Sequence, residues 1–377
     1  MTKIDNPNAF KNMINAEVVE AYARGLKKID KSLNLKPLLE VKKHFHELSL
    51  RARVRSIAIA LHEALPPYPK ALTLLASVVE AEDIKNFALW PATEFVQYFG
   101  LEHFDESFAA MQNWTRRFTA EFVVRPFILK QPKKSFTYLL EAAKHENVHL
   151  RRWASEGSRP RLPWGERLHP LIADPSPCLK ILEILKFDPE IYVRKSVANH
   201  LNDISKDHPE LVIETLKSWK KIVPLNFEKE FKFILRQSLR TLIKLGNPNA
   251  LALMGVKHAN PALSIKKFNI KQKSIQIGES CDFEFVLRND ANKSTKYVLD
   301  YVLYHCKANG SLSPKVFKLK TGQIPGNSEL KICKRHSFKP VTTRVYYSGK
   351  HKIQLQLNGR EKEEATFLLL MNKVNTL

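Results

Sequence analysis

The sequence predicts a mainly α-helical chain with two parts, a helical repeat array followed by a small β-sandwich. Apolar residues recur at helical spacing through residues 1–262, and internal similarity returns about every 42 residues. Near Leu263 both patterns stop, and short runs of alternating apolar residues replace them. At 377 residues the chain is also long enough for two domains. We therefore expect one domain at 1–262 and a second at 263–377.

The helical part shows its periodicity most clearly in five stretches. These are Ser56–Leu65, Lys70–Glu80, Cys178–Leu185, Leu211–Trp219 and Phe231–Leu245. Short breaks rich in proline, glycine or asparagine separate the stretches, as in Gly246-Asn247-Pro248. Short connections between amphipathic stretches predict stacked helix pairs.

The internal repeat is marked by three dipeptides, 43 and 42 residues apart. They are Leu150-Arg151, Val193-Arg194 and Leu235-Arg236. The unit Asp188–Leu201 (DPEIYVRKSVANHL) resembles the pattern of a HEAT repeat, and the spacing is in the range of that repeat. Because repeats stack in register, the arginines are expected to form a ladder along one face. The ladder either bridges neighbouring repeats through carboxylates or contacts DNA phosphate.

The second part contains strand-like runs separated by turn signals. Examples are Cys281–Leu287, Lys296–Tyr304, Lys331–Phe338 and Lys352–Leu357. Asn358-Gly359 is typical of the two-residue turn of the last hairpin. About seven strands over this length predict an immunoglobulin-like or fibronectin-like sandwich.

The net charge is strongly positive, with 61 basic and 38 acidic residues giving +23 and an isoelectric point near 9.7. From Ser264 onward there are 21 basic and 9 acidic residues, so the smaller part carries +12. Such a field attracts polyanions, and we expect nucleic acid rather than a membrane as the partner. The sandwich, with the denser charge, is expected to hold DNA backbone.

Four scattered cysteines favour a reducing compartment. No signal peptide or apolar run of membrane-spanning length is visible, so we expect a cytoplasmic protein, associated with the nucleoid when bound to DNA. Deaminase, phosphate-loop and dinucleotide signatures are absent from the sequence, and the histidines have no metal-ligand spacing. Neither a metal nor a cofactor is expected.

Two segments of the helical part repeat one pattern. Arg116–Glu121 (RRFTAE) aligns with Arg151–Glu156 (RRWASE), each with a basic pair, an aromatic residue and a carboxylate. On a helix the aromatic residue and the glutamate share a face. Anions among phosphate-seeking arginines need a reason, because phosphate repels them. Either they only hold the arginines, or they stabilise the oxocarbenium character that N-glycosidic cleavage builds on deoxyribose.

Three segments, RRFTAEFVVRPF, RRWASEGSRPRLPW and SVANHLNDISKDHP, closely resemble the AlkC branch of the HEAT-like-repeat bacterial alkylpurine DNA glycosylases, relatives of AlkD. The resemblance covers essentially the whole helical part, and some members carry an immunoglobulin-like domain. It implies a monomeric, monofunctional glycosylase that acts on double-stranded DNA without metal or cofactor. The implied substrates are cationic N3-alkylated bases, chiefly 3-methyladenine, with 3-methylcytosine as a second candidate.

The resemblance also implies roles for individual residues. Glu121, Glu156 and Asp203 would form the catalytic acidic cluster, facing the C1′ carbon and positioning water. The DNA- and lesion-binding residues would be Trp114 and Trp153 as an aromatic wall, with Arg152, Arg159, Arg161, Arg194, Lys195, Asn199 and His200.

Two other functions stay open at this point. One is a HEAT scaffold that binds damaged DNA without catalysis, and the other is a helical-repeat platform for an acidic protein partner. A pure DNA binder has little use for three carboxylates among arginines. A protein platform would instead be lined by leucines or lysines.

Overall fold

The computed structural model describes residues 9–341 and 344–371. Within them, sixteen α-helices precede eight β-strands. The helices are α1 (Ala16–Ile29), α2 (Lys36–Glu40), α3 (Leu50–Ala64), α4 (Lys70–Ala81), α5 (Trp90–Phe99), α6 (Phe104–Trp114), α7 (Val124–Lys130), α8 (Pro132–Ala143), α9 (Val148–Gly157), α10 (His169–Ala173), α11 (Ser176–Leu185), α12 (Ile191–Ile204), α13 (Pro209–Ile222), α14 (Glu228–Ser238), α15 (Arg240–Lys244) and α16 (Pro248–Leu253). The strands are β1 (Leu263–Ile270), β2 (Ser274–Gln276), β3 (Ser280–Asn289), β4 (Thr295–Cys306), β5 (Leu312–Ile324), β6 (Ser328–Ser337), β7 (Gly349–Leu357) and β8 (Arg360–Leu370).

The predicted fold class is confirmed, and the last helices and first strand bracket the predicted change near Leu263. One helix was predicted too long. The stretch Phe231–Leu245 is divided at Leu239 into α14 and α15, because Leu239 leaves the helical path for one residue. None of the described helices is long and apolar enough to cross a membrane.

Residue contacts group the chain into two compact units that differ from the predicted domains. One contains the described residues up to Asp207 together with Val223–Ile234, and the other contains His208–Ile222 with the residues from Leu235 onward. The second unit therefore holds helices α13, α15 and α16 as well as the sandwich. The proposed boundary at 262/263 stays a prediction about domains, although the secondary structure changes there.

Two of the three repeat arginines, Arg151 and Arg194, are bonded inside the helical unit, whereas Arg236 is exposed. Arg151 donates to both carboxylate oxygens of Asp188, at 2.6 and 3.3 Å, and thereby links α9 to the segment before α12. Arg194 donates to the carbonyls of Asp188 and Pro189 and has 8% of its surface exposed. The bridge through a carboxylate is observed for Arg151, whereas Arg194 holds backbone carbonyls at the start of its own repeat unit.

The sandwich consists of a three-stranded sheet in the order β1-β3-β6 and a five-stranded sheet in the order β2-β8-β7-β4-β5. Strand β3 alternates cleanly, and its buried residues, such as Phe283 and Phe285, enter the core between the sheets. The predicted hairpin is confirmed, because Asn358 (φ 50°) and Gly359 (φ 76°) join β7 to β8. Both positive φ values suit the two-residue turn.

Strand β4 is buried on both faces. Tyr297, Leu299 and Tyr301 point into the sandwich core. On the opposite face Val298 packs against Leu251 of α16 and nearby Val256. The outer face of the five-stranded sheet is therefore covered in part by helices of the same unit.

Candidate active site

A cavity of about 380 Å³ in the helical unit brings aromatic residues and carboxylates together. It is lined by Phe87, Trp90, Phe118, Thr119, Glu121, Phe122, Glu156, Arg159, Leu162, Pro163 and Trp164. Five of these side chains are aromatic, contributed by segments that are far apart in the sequence. The cavity combines flat apolar walls with two carboxylates, an arrangement suited to a planar or partly cationic group.

Glu121 lies in the non-helical segment between α6 and α7, with 8% of its surface exposed. Its Oε2 accepts a hydrogen bond from Thr119 Oγ1 at 2.7 Å and one from Arg152 Nη1. Among the described residues, none donates to Oε1. Glu121 is thus fixed by one oxygen while the other is left to the cavity.

Two buried features hold this segment in place. Trp153 of α9 donates from Nε1 to the Ala120 carbonyl at 3.1 Å, directly before Glu121. At Gly157, a Cβ would lie 2.6 Å from a methyl carbon of Val124, so a larger residue would displace the start of α7. Trp153 and Gly157, both in the RRWASEG sequence of α9, therefore hold the segment that carries Glu121 in position.

Glu156 and Asp203 are more completely bonded than Glu121. Glu156 accepts from Arg159 Nη1 at 2.5 Å on Oε1 and from Ser196 Oγ at 2.6 Å on Oε2. Asp203 accepts from Arg159 Nε at 2.8 Å on Oδ2 and from Lys206 Nζ at 3.0 Å on Oδ1. Arg159 thus bridges two carboxylates that are 6% and 2% exposed.

The cluster forms an alternating chain of charges from Glu121 through Arg152, Glu156 and Arg159 to Asp203. Arg152 continues the chain because its Nη2 lies 3.5 Å from Glu156 Oε1. Burial opposes the charge of Arg159, but Glu156 and Asp203 outweigh it, and the pKa of this guanidinium lies above its ordinary value. The carboxylates are therefore oriented and largely compensated before any substrate binds.

The segment after α9 is held by Arg125, whose side chain is fully buried. Its guanidinium donates to the carbonyls of Gly157 (3.0 Å), Arg159 (2.8 Å) and Glu166 (2.6 Å). Burial lowers the pKa of Arg125 to about 10. These three hydrogen bonds fix both ends of the loop that carries Arg159 and Trp164.

Trp164 projects from this loop and is 66% exposed. Its backbone has a positive φ of 65°, a conformation that costs energy for a bulky residue. Arg51 of α3 donates to the Trp164 carbonyl at 2.8 Å. The loop therefore presents a large aromatic ring at the rim of the cavity.

Comparisons with known proteins show which family this chain belongs to. Residues 74–242 match the family model described as "DNA alkylation repair enzyme", and residues 264–371 match the C-terminal Ig-like domain of the YhaZ model. The protein YhaZ of Bacillus subtilis (strain 168), described as uncharacterized, is 39% identical over 322 residues, covering 85% of this chain and 87% of YhaZ. The chain belongs to the DNA alkylation repair enzyme family.

A solved structure supports the same assignment over nearly the whole chain. The alkylpurine DNA glycosylase AlkC of Pseudomonas fluorescens, bound to DNA containing an abasic site analogue, is 35% identical. It superposes with a TM-score of 0.88 and covers 96% of this chain and 99% of its own. The resemblance to the AlkC branch is confirmed, and so is the order of a helical-repeat part followed by an Ig-like part.

Within this family member, the structure corrects the predicted aromatic wall. Trp114 and Trp153 are 1% and 0% exposed and pack in the core, outside the cavity. The cavity aromatics are instead Phe87, Trp90, Phe118, Phe122 and Trp164, which were not predicted. The predicted helical face shared by Phe118 and Glu121 is also wrong, because that segment is not helical, although both residues reach the cavity.

The other predicted binding residues fall into four groups. Arg152 and Arg159 belong to the acidic cluster, and Arg161 pairs with Asp207 through two hydrogen bonds of 2.9 and 2.8 Å. Lys195 is exposed and Asn199 is half-buried. Arg194 and His200 are internal.

His200 needs a correction of its own. It is fully buried, and burial lowers its pKa to about 3, with neighbouring Arg159 adding to the effect. A neutral histidine at 0% exposure cannot contact DNA in this structure. Its position near Arg159 places it behind the cluster, as part of the packing that supports it.

Proposed function

We propose that this chain is a monofunctional DNA glycosylase that removes cationic N3-alkylated bases from double-stranded DNA. Its chief substrate is 3-methyladenine, with 3-methylcytosine as a second. The observation that carries the proposal is the open Oε1 of Glu121, held at an aromatic-lined cavity by bonds to the other oxygen. The similarity to Pseudomonas fluorescens AlkC, an alkylpurine DNA glycosylase solved on DNA with an abasic site analogue, supports it.

The chemistry follows from the charge of the lesion. When the C1′–N bond of an N3-alkylated base breaks, the bonding electrons return to the cationic base, which leaves neutral. Positive charge then develops on the deoxyribose as an oxocarbenium ion. Glu121 stabilises that charge through Oε1 and orients a water for attack on C1′, and the water's proton passes to the carboxylate or to solvent.

The other groups act through position and packing. Glu156 lines the cavity with both oxygens engaged, and it contributes negative charge at short range. Asp203 does not line the cavity and acts through Arg159. No lysine is found among the described residues that line the cavity, which supports hydrolysis by water rather than Schiff-base lyase chemistry.

Binding to the duplex is assigned to cations outside the cluster. Lys195 is exposed near the cavity-bearing helices, and the sandwich part carries +12. Contacts from such cations to phosphates release counterions, so affinity should fall steeply with salt. The exposed ring of Trp164 is placed to contact bases or sugars at the lesion.

The test is release of free base from DNA treated with a methylating agent, measured by chromatography, with abasic sites counted in parallel. Wild-type protein is expected to release 3-methyladenine and leave equal numbers of abasic sites, without strand cleavage. Glu121→Gln should lose this activity, whereas Glu141→Gln, an exposed glutamate on α8, should keep it. If wild-type protein binds the DNA without releasing base, the non-catalytic scaffold is the correct function.

A further inference from the structure

A second cavity, of about 660 Å³, lies entirely within the unit that contains the sandwich. It is larger than the cavity at the acidic cluster and shares no residue with it. Its walls come from α14, α15 and the segment after α16 on one side, and from β4 and β5 on the other. Its volume is in the ordinary range for small-molecule sites.

The floor of this cavity is apolar apart from one carboxylate. Val298 of β4 and Val256 are each less than 5% exposed. Asp300 stands beside them and is 2% exposed. It lies on the face of β4 that points away from the sandwich core, two residues beyond Val298.

Asp300 has no protein partner among the described residues: neither a hydrogen bond nor an ion pair reaches its carboxylate. The residue opposite it on β7, Gln356, donates its amide nitrogen elsewhere, to the Gly359 carbonyl at 3.2 Å. On its other side β4 pairs with β5 through a register shift: Leu299 pairs with Lys320 and Asp300 with Lys318, so the extra residue of the bulge is Leu319 of β5.

A buried carboxylate without donors is costly, so its presence requires an explanation. Burial raises the pKa of Asp300 to about 6, although Lys318 and Lys244 act in the opposite direction. The group is therefore ionised at neutral pH and accepts hydrogen bonds. A ligand that brings donors to Asp300 would relieve the cost.

The rim of the cavity has the opposite character. It carries the cations Arg236, Arg240, Lys244, Lys296 and Lys318. Among the residues that the structure describes, four of them (Arg236, Lys244, Lys296 and Lys318) form no ion pair with a carboxylate. Such a rim attracts a negatively charged group such as a phosphate, which lysines and arginines bind through charge-assisted hydrogen bonds.

These three regions define the ligand's chemistry. It needs a flat apolar body, a pair of adjacent hydrogen-bond donors, and a negative charge at the far end. Guanine offers two adjacent donors, N1–H and the 2-amino group, which match the two oxygens of a carboxylate. Adenine and cytosine place an acceptor beside their amino group, and a carboxylate repels that acceptor.

We propose that this cavity binds a guanine nucleotide, with the base on the Val298–Val256 floor, its donor edge on Asp300 and its phosphate among the rim lysines. The nucleotide is either free in solution or a guanine of a nucleic-acid strand, since the two present the same groups. The site is independent of the proposed base excision, because none of its residues belongs to the acidic cluster.

The decisive experiment is calorimetric titration of the full chain with guanosine, adenosine and xanthosine 5′-monophosphates and with inorganic phosphate. Wild-type protein should bind the guanine nucleotide at a single site, at least ~10-fold more tightly than the adenine nucleotide, because hydrogen bonds to a charged group discriminate by about that much. Equal binding of both nucleotides, or no saturable binding, would overturn the proposal.

The Asp300→Asn variant distinguishes guanine recognition by Asp300 from a purely structural role of this residue. Its amide keeps one acceptor for N1–H and turns the other oxygen into a donor, which matches the 2-oxo group of xanthine. We expect guanine nucleotide affinity to fall at least ~10-fold and xanthine nucleotide to become the preferred ligand. Asp290→Asn, the same change at an exposed position, is the matched control and should leave the preference unchanged. Unchanged guanine preference in Asp300→Asn would contradict the assignment.

Two further arms identify the phosphate contact and the source. Lys318→Ala should weaken the guanine nucleotide more than free guanosine, because only the nucleotide carries the phosphate. Competition with the single strands d(TTGTT) and d(TTATT) separates the sources. Displacement by the guanine strand alone assigns the site to nucleic acid, whereas binding of the mononucleotide without displacement by either strand assigns it to free nucleotide.

Discussion

In the helical unit, Glu156 and Asp203 are held from opposite sides by Arg159, whereas Asp300 of the sandwich unit is equally buried and has no partner among the described residues. The paired carboxylates have compensated charge and fixed direction in the free protein. Asp300 has neither, and burial raises its pKa to about 6. On the proposed functions, a buried anion has two uses in this molecule. In the cluster it stabilises charge that develops during a reaction, and at Asp300 it accepts hydrogen bonds from a ligand.

Glu121 lies between these extremes, since one of its oxygens is bonded and the other is open to the cavity. If that open oxygen stabilises the transition state, Glu121→Gln should reduce the single-turnover rate of base release by about 10²–10³-fold. Affinity for undamaged DNA should hold or rise, because a negative charge facing phosphate is lost.

The measurement is base release from a duplex with one 3-methyladenine at saturating enzyme, beside a binding titration. Glu141→Gln controls for loss of an exposed carboxylate in the same unit. A normal rate at saturation with weaker binding would show that Glu121 only anchors Arg152. The open oxygen of Glu121 would then have no catalytic role.

Because Asp300 is buried and has no partner among the described residues, the stability of the protein should depend on pH through this residue. Its pKa is raised in the folded protein from 3.8 to about 6, so the folded state binds more protons than the unfolded state between those values. The contribution of Asp300 to the free energy of unfolding should therefore be most favourable below about pH 4, and it should fall as the pH rises through about 6. The full cost above that pH is about 3 kcal/mol.

Asp300→Asn removes this cost, and its free energy of unfolding should exceed that of the wild type at about pH 7.5 by up to about 3 kcal/mol. The gain should disappear near about pH 4, where the wild-type carboxyl is protonated. Urea unfolding at both pH values, with Asp290→Asn as control, measures it. A variant that is less stable than the wild type at the higher pH would mean that Asp300 has a stabilising partner.

A substitution at Asp203 tests the role of the carboxylates that are paired with Arg159. Asp203→Asn keeps the shape but weakens the bonds to Arg159 and Lys206, and we expect a loss of about 1–3 kcal/mol in stability. Base release at saturation should fall about 10-fold, less than for Glu121→Gln, because Asp203 acts only through Arg159. An equal or larger rate loss would place Asp203 at the reacting sugar.

Sequence patterns predicted the parts of the fold that depend on local periodicity. The apolar spacing of Lys70–Glu80 gave α4 within a residue, and Asn358-Gly359 gave the last hairpin, because backbone geometry restricts those residues locally. The division at Leu239 was missed, since apolar spacing continues across a single non-helical residue.

The residues of the candidate site were predicted only in part. The repeated RRxxxE pattern placed Glu121 and Glu156 at one cavity, although it wrongly assigned a helix to the first copy. The pattern also drew attention to Trp114 and Trp153, which are core residues, because a tryptophan beside arginines looks the same whether buried or exposed. Phe87, Phe122 and Trp164 come from separate segments and carry no joint sequence signal. The positive φ of Trp164 is visible only in three dimensions.

The smallest expected effect concerns a pair at the surface. Arg161 and Asp207 make a bidentate contact, yet both side chains keep about a quarter of their surface exposed, at 25% and 27%. Exposed pairs of this kind contribute about 0–1 kcal/mol, so Asp207→Asn should leave stability almost unchanged, unlike Asp203→Asn. Base release at saturation should also be normal, because neither residue lines the cavity.

The substitution Asp207→Asn also frees Arg161, which is predicted to hold DNA backbone. One more cation for phosphate should tighten DNA binding and steepen the salt dependence by about 0.9 in the slope of log K against log salt. Titrations between low and physiological salt, with Asp105→Asn as an exposed control, measure this slope. Weaker binding by Asp207→Asn would show instead that Asp207 orients Arg161 toward the DNA, and that pairing at the surface serves the same positioning role as pairing in the buried cluster.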